Sequence, residues 1–408
     1  MKKHHITAIL FILFLIMNFV LTRPKPTLRI STAEELEKIF SSSQENINVK
    51  LASGIYELTS EIIIDSTCGN CDEPDTLVSA TAGLIISGKN INISGPSDKT
   101  AIIKTNSGYG IYVLNCDNLI LEDLTITGGI RDSNEFATDA AIVVKNSNAL
   151  IRNNKITRNY GDQTLIKENI VGIMGICGRE NSVLRIYNNL ISKNSWDGIA
   201  LYRDSEAVIE ENIIDGVHKA GGRIAQGGRG VGIGVTWNAK AIIRNNLVKR
   251  YWKGIGLFVD AEGTVEYNII EDVITWGISL WDAGKGNPKG YISNNIIYKT
   301  GAMGTSITSI PEETPGFFKG NIIVRTAQDS TYDSPDIYGY QCALAEHLVP
   351  KKFVIENNLF YDNRRTELRL PDYDTNLENF ENKLKANKEW INRITILEDS
   401  DFFHDYIE

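Results

Sequence analysis

Residues 194–214 read NSWDGIALYRDSEAVIEENII. Gly198 opens a run in which Ile199 and Leu201 alternate with Ala200 and Tyr202, the period-two pattern of a half-buried strand. A short polar turn follows. Ala207 and Ile209 then alternate in the same way, and Asn212 stands ahead of a last apolar pair, Ile213 and Ile214. The stretch reads as one complete coil of a solenoid, with the Gly and the Asn as its two marks.

The surrounding chain repeats this plan. Opening strands are expected at Gly110, Ala141, Gly172, Gly198, Gly232, Gly254 and Gly277. The second mark falls at Leu124, Asn154, Asn189, Asn212, Asn246, Asn268, Asn295, Asn321 and Asn358. Bare coils are 23 residues (Asn189 to Asn212) and 22 residues (Asn246 to Asn268) long. A period in this range marks repeats that are stable only when stacked. Longer spacings place insertions at 128–140, 157–171 and 215–231, all leaving the coil at the same corner. Loops grafted repeatedly at one corner build a binding face.

The ends differ from the middle. Lys2, Lys3, His4 and His5 precede the apolar run Ile6–Leu21, so residues 1–22 are expected to be a signal peptide or an uncleaved N-terminal anchor. Either places the body outside the cytoplasm: secreted, periplasmic or on the cell surface. Residues 23–49 form an N-terminal cap, in which Thr32 and Glu35 make a capping box ahead of Leu36, Ile39 and Phe40. The repeat is expected over 50–363. Leu377–Ile394 has helical periodicity, and 364–408 is expected to be a helical cap on the last coil or along one face, because an open coil end exposes unpaired strand edges.

The chain has 408 residues, 42% of them hydrophobic, and carries 42 basic against 51 acidic side chains, a net charge of −9. That balance disfavours nucleic acid as a partner, and leaves a membrane contact only through the N-terminal segment if it is uncleaved. Cys68 and Cys71 in CGNC suit a small disulfide ring, whereas Cys116, Cys177 and Cys342 are isolated.

The rungs Asn153-Asn154-Lys155-Ile156, Asn188-Asn189-Leu190-Ile191, Asn245-Asn246-Leu247-Val248 and Asn294-Asn295-Ile296-Ile297, with the Gly-Ile-x-Leu strands, resemble the right-handed parallel β-helix family of pectin-lyase-like fold. That family includes polysaccharide lyases, glycoside hydrolases and the carbohydrate-binding and sugar-hydrolysis repeat proteins. The resemblance implies an all-β right-handed parallel β-helix solenoid. It brings no catalytic signature, so no catalytic residue is carried over from it.

Chemistry is therefore sought in the residues themselves. The Asn rungs are expected to be a structural ladder that satisfies backbone groups between coils. Glu210, Arg244 and Glu266 share one coil position and read as a surface charge ladder. Gly198, Ala200 and Tyr202 are expected to point outward, as are Gly232, Gly234 and Thr236, Gly254, Gly256 and Phe258, and Gly277, Ser279 and Trp281. The result is a floor of small residues with walls drawn from Trp196, Tyr202, Trp237, Trp252, Phe258, Trp276 and Trp281, a trough suited to sugar rings. Asp197, Asp204, Asp260 and Asp282 are the candidate carboxylates. Adjacent coils put Asp260 and Asp282 about 5 Å apart, and Asp204 and Asp260 on the order of 10 Å apart, spacings that bracket those of glycosidase pairs. Arg203, His218, Arg223 and Lys253 are the candidate bases or anion clamps.

The function expected is binding and cleavage of an anionic polysaccharide or oligosaccharide, by a lyase or a glycoside hydrolase. A non-catalytic β-helix that binds glycan or a protein is the first alternative. A periplasmic metal-maturation repeat protein is the second, with few His and Met residues to serve it. No particular cofactor is specified by these residues, and the Asp cluster admits Ca2+.

Overall fold

A computed structural model describes residues 25–161, 172–216, 230–309, 313–333, 341–366 and 370–408. The expected signal or anchor at 1–22 lies outside these residues, as do most of the 157–171 and 215–231 insertions. Among the described residues no helix is long and apolar enough to cross a membrane.

Each coil contributes one short strand to each of three faces. In the coil quoted above these strands are Ile199–Leu201 on the front face, Glu206–Glu210 on the side and Ile213–Asp215 on the back. Successive coils pair in parallel and in register: Ile199 meets Ile233, Ile209 meets Ile243, and Ile214 meets Val248. Val78–Ser94 and Tyr109–Glu122 run unbroken through the corner between front and side. The two faces therefore hydrogen-bond as one 21-stranded sheet, and the back face is an 11-stranded sheet. Parallel pairing starts upstream of residue 50, at Thr27–Ile30 with Gln44–Leu51.

The alternation dictates what fills the interior. Ile199, Leu201, Ile209, Ile214, Ile255 and Leu257 are fully buried within one continuous core. Burying such a side chain contributes about 1.5–3 kcal/mol, and stacking repeats it coil after coil. The Asn mark does the polar counterpart of this work. Asn212 Oδ1 accepts from the Asn189 backbone N–H at 3.0 Å, and Asn212 Nδ2 donates to Ile186 and Glu210 carbonyls at 3.0 and 2.9 Å. The same pattern links Asn154, Asn189, Asn246, Asn268, Asn295, Asn321 and Asn358. Corner backbone groups that have no strand partner are satisfied this way. On the side face, Glu210 accepts from Arg185 and from Arg244, at 2.7 and 2.8 Å.

Both ends are closed. The helix Ala33–Phe40 starts at Thr32, whose hydroxyl accepts from the Glu35 N–H, and it pushes Leu36 and Phe40 into the first coil. At the other end Tyr373 stacks on Phe360, 4.9 Å between ring centres. The helices Leu377–Ala386 and Asp401–Tyr406 lie along the outside of the back face. There Phe380, Leu384 and Phe402 cover Leu247, Ile269, Ile296 and Ile322.

Candidate functional site

The register corrects the expected floor. Gly198, Gly232, Gly254 and Gly277 do not face out. A Cβ on them would meet the core residues Ile214, Val248, Ile270 and Ile297 at 2.2–2.5 Å. At this corner the chain turns before the strand begins, so the alternation starts one residue later. Glycine is required there because adjacent coils and the back-face residues leave no space for a side chain. Gly175, paired in line with Gly198, takes the position expected of Gly172.

The residues that do face out from the front strands form one row: Cys177, Ala200, Gly234, Gly256, Ser279 and Ser306. The row is small because side chains close over it. The Phe258 ring lies where a Gly256 Cβ would point, 2.1 Å from it. Along one flank runs Asp197, Val231, Lys253, Trp276 and Met303, and along the other Tyr202, Thr236, Phe258, Trp281 and Thr308. The two flanks meet at one point. The Lys253 ammonium lies 4.5 Å from the Trp276 ring, 5.0 Å from Phe258 and 5.4 Å from Trp281. Phe258 and Trp281 make an edge-on pair at 6.3 Å, and Trp281 is 45% exposed.

The trough is not continuous over the four expected coils. Upstream of Gly234 it is covered by the protein itself. Glu61–Asp65 pairs antiparallel with the first residues of Val78–Ser94, and this hairpin folds over the front face. Cys68, Val78, Ala80 and Ala82 pack there on Tyr109, Tyr112, Val143, Cys177, Ala200 and Tyr202. Burial pushes the Tyr112 and Tyr202 phenols up. The hairpin loop, closed by the Cys68–Cys71 disulfide, continues along the coil corners. Arg203 Nε donates to Gly69 O, Trp237 Nε1 to Asn70 Oδ1, and Lys285 pairs with Asp72. Arg203 and Lys285 both lie over the Trp237 ring, at 4.4 and 4.6 Å. Left-handed backbone at Arg203, Asp204, Trp237 and Asn238 turns each coil from front to side. At the downstream end Tyr332 and Leu370 pack on Met303, Cys342 and Ala345.

The expected site residues that the structure describes fall into separate places. Lys253, Phe258, Trp276 and Trp281 come together. Tyr202 is buried under the hairpin, Trp196 borders that cluster, and Arg203 and Trp237 hold the disulfide loop instead of a ligand. Trp252 is half-buried one position upstream of Lys253, and its carbonyl accepts from the Thr275 backbone N–H. Asp197 is buried and accepts from the Val231 N–H at 2.6 Å. Asp260 accepts from the Asn287 N–H, and buried Asp282 accepts from the Gly284 N–H. Asp282 is in line with Val259, not with Asp260. The expected adjacent pair of carboxylates is therefore out of step by one residue. Asp204 is exposed in its turn. His218 and Arg223 lie outside the described residues. Among the described residues no group of three or more His, Cys, Asp or Glu side chains gathers for a metal ion, and the offset aspartates do not fit a calcium cage.

One cluster was missed from the sequence. Lys145 and Arg179 are neighbours in the front-face register, both facing outward and both buried. Two like charges stacked on adjacent strands require a counter-charge, and that was the available signal. Asp65 supplies it: its carboxylate pairs with Lys145, accepts from Tyr109 OH at 3.1 Å and lies 3.1 Å from Arg179.

The family model described as "Right handed beta helix region" matches residues 53–231 and 175–328. Among curated proteins none matches. Among solved structures the chain is similar to an exopolygalacturonase from Thermotoga maritima (12% identity, 84% of this chain and 93% of that one, TM-score 0.48). It is also similar to an alginate lyase from a Paenibacillus species (14% identity, 68% and 96%, TM-score 0.42). A third is PfbA, a surface adhesin of Streptococcus pneumoniae (12% identity, 82% and 70%, TM-score 0.41). With coils paired in parallel from Thr27 to Tyr361 and the family model matching over more than half its length, the chain belongs to the right-handed β-helix family.

Proposed function

We propose that this is an extracytoplasmic carbohydrate-binding β-helix whose front face takes an anionic polysaccharide at Lys253. The observation that carries this is the meeting of one ammonium with three aromatic rings at the surface, at 4.5–5.4 Å. Sugar rings present apolar C–H faces to such planes, and the ammonium pairs with an acidic substituent of the polymer. Binding is favoured over cleavage, because Asp260 and Asp282 already accept backbone donors in their turns and the coil at 198 is covered.

Cleavage is the second reading: Asp197, though buried and bonded to the Val231 N–H, shares a flank with Lys253 and reaches to 4.0 Å from where a Gly234 Cβ would point. In a lyase, Lys253 as base would take the proton beside the uronate carboxylate, and the leaving oxygen would need a proton donor. A hydrolase would use a carboxylate pair.

A panel of acidic and neutral oligosaccharides tests both. Binding of an acidic member should weaken in Lys253→Ala and in Trp281→Ala, by about 1 kcal/mol or roughly fivefold in Kd for each. Equal binding of neutral sugars, or unchanged binding in both variants, would sink the proposal. An ultraviolet-absorbing unsaturated product identifies a lyase; new reducing ends without it identify a hydrolase; neither leaves binding alone.

A further inference from the structure

We infer that the front face carries a second carboxylate-binding site, beneath the hairpin, and that the protein's own Asp65 fills it. This rests on the reading of the front face as a surface for an acidic glycan. The donors and the acceptor belong to different elements. Tyr109, Lys145 and Arg179 stand on three successive coils of the solenoid, whereas Asp65 ends the hairpin strand Glu61–Asp65. Asp65 is 2% exposed, Lys145 4% and Arg179 fully buried. One carboxylate thus accepts from Tyr109 and Lys145 and ion-pairs with Arg179, as a bound uronate would. Arg179 has additional partners in Glu180, in Thr138 Oγ1 at 2.6 Å and in the Thr67 carbonyl at 2.8 Å. The guanidinium also lies where a Cβ on Gly69 would point, 2.9 Å from it, so glycine lets the loop settle on it.

The site lies on the same face as Lys253, three to five coils upstream of it. A polymer lying along the front face from Lys253 would run directly into the hairpin. The hairpin strand is hydrogen-bonded on one side only, to residues 78–82, and leaves Ile62 81% and Ile64 65% exposed. Nothing among the described residues packs over its back. Its loop is held further along by the bonds to Arg203, Trp237 and Lys285. The hairpin is an internal plug, and an acidic chain competes with Asp65 for the three donors.

The test uses the full chain and size-defined oligogalacturonate and oligoalginate as probes, with calorimetric affinities and hydrogen exchange of residues 61–77. Asp65→Asn keeps the shape and removes the competing charge. It should tighten binding of the longer oligomers several-fold, with short ones unchanged, and the bound oligomer should raise exchange in 61–77 in the wild type. Arg179→Gln added to Asp65→Asn should abolish the gain. Equal affinity of wild type and Asp65→Asn, with Lys253→Ala still weakening both, overturns the plug and leaves the front-face site standing. A lowered Tm without change in affinity or in exchange on ligand addition assigns Asp65 a purely structural role and also overturns it. No binding of any acidic oligomer by either protein overturns the parent reading and this one with it.

Discussion

At the residue scale, position within the coil decides a side chain's role more than its chemical type does. Asparagine at the corner is a bracket between coils. Aspartate in the next turn ties down backbone N–H groups, as Asp282 does for Gly284. Lysine on the front row gathers aromatic rings. The bracket is the most testable of these. Asn246 accepts from the Asn212 N–H at 3.1 Å and donates to the Ile209 and Arg244 carbonyls at 2.9 and 3.0 Å, the first two bonds fully buried. Asn246→Ala leaves the buried Asn212 N–H without this acceptor and removes the two bonds to carbonyls, so stability should fall by about 1–3 kcal/mol. Denaturant unfolding measures this, with Asn148→Ala, at an exposed strand position outside the ladder, as a control expected to change little.

At the scale of elements, the C-terminal helices are attached to the back face by apolar packing and by one buried acid. Glu271 is 1% exposed; its carboxylate accepts from the Asp401 N–H at 3.0 Å and has Lys249 at 3.7 Å. Those N–H groups open the helix Asp401–Tyr406, where a negative charge is favourable, yet burial outweighs them and pushes the Glu271 carboxyl up to about 6. A folded-state pKa above the ordinary 4.5 means that the folded protein holds this proton more tightly than the unfolded chain does. The resulting contribution, roughly 2 kcal/mol, is complete below about pH 4.5 and lost as pH rises through 6. Hydrogen exchange in 401–406 should therefore quicken between pH 4.5 and 7 beyond its intrinsic pH dependence. Glu271→Gln should remove that excess. An excess that persists in the variant would assign the effect to another group.

The whole molecule is a three-faced rod in which each face has a different cover. Among the described residues the side face has none and carries the charge ladders. The downstream part of the back face is sheathed by 377–408, and the front face is sheathed at both ends, with Trp281 exposed between them. Removing 377–408 should leave the interior core intact but uncover Leu247, Ile269, Ile296 and Ile322 as one apolar stripe. Self-association is the expected result, because a contiguous patch of that kind is rarely left open on a monomer. Size-exclusion chromatography with circular dichroism checks this: a larger species that keeps its strand signal is expected, and a monomer would show that the helices are not the cover the back face needs.

The sequence by itself determined the coil. Period-two alternation, the recurrent Asn and the 22- and 23-residue spacings specify parallel stacking, because they are local constraints repeated along the chain. They carried the buried set and the Asn ladder, and the Thr32–Glu35 capping box carried the helix Ala33–Phe40. The orientation of the Gly row was not legible, since alternation holds within a strand and fails at a corner where the chain bends. Nor was the cover on the front face. The hairpin at 61–82 meets Lys145, Arg179, Arg203, Trp237 and Lys285, up to 213 residues away in sequence. No periodic signal encodes contacts at such separations. They arise only once the stacked coils have brought the outward side chains into a single row. Lys253 and its three rings came together for the same reason: they occupy two flanks of one face, and only the tertiary fold closes those flanks over a floor too small to keep them apart.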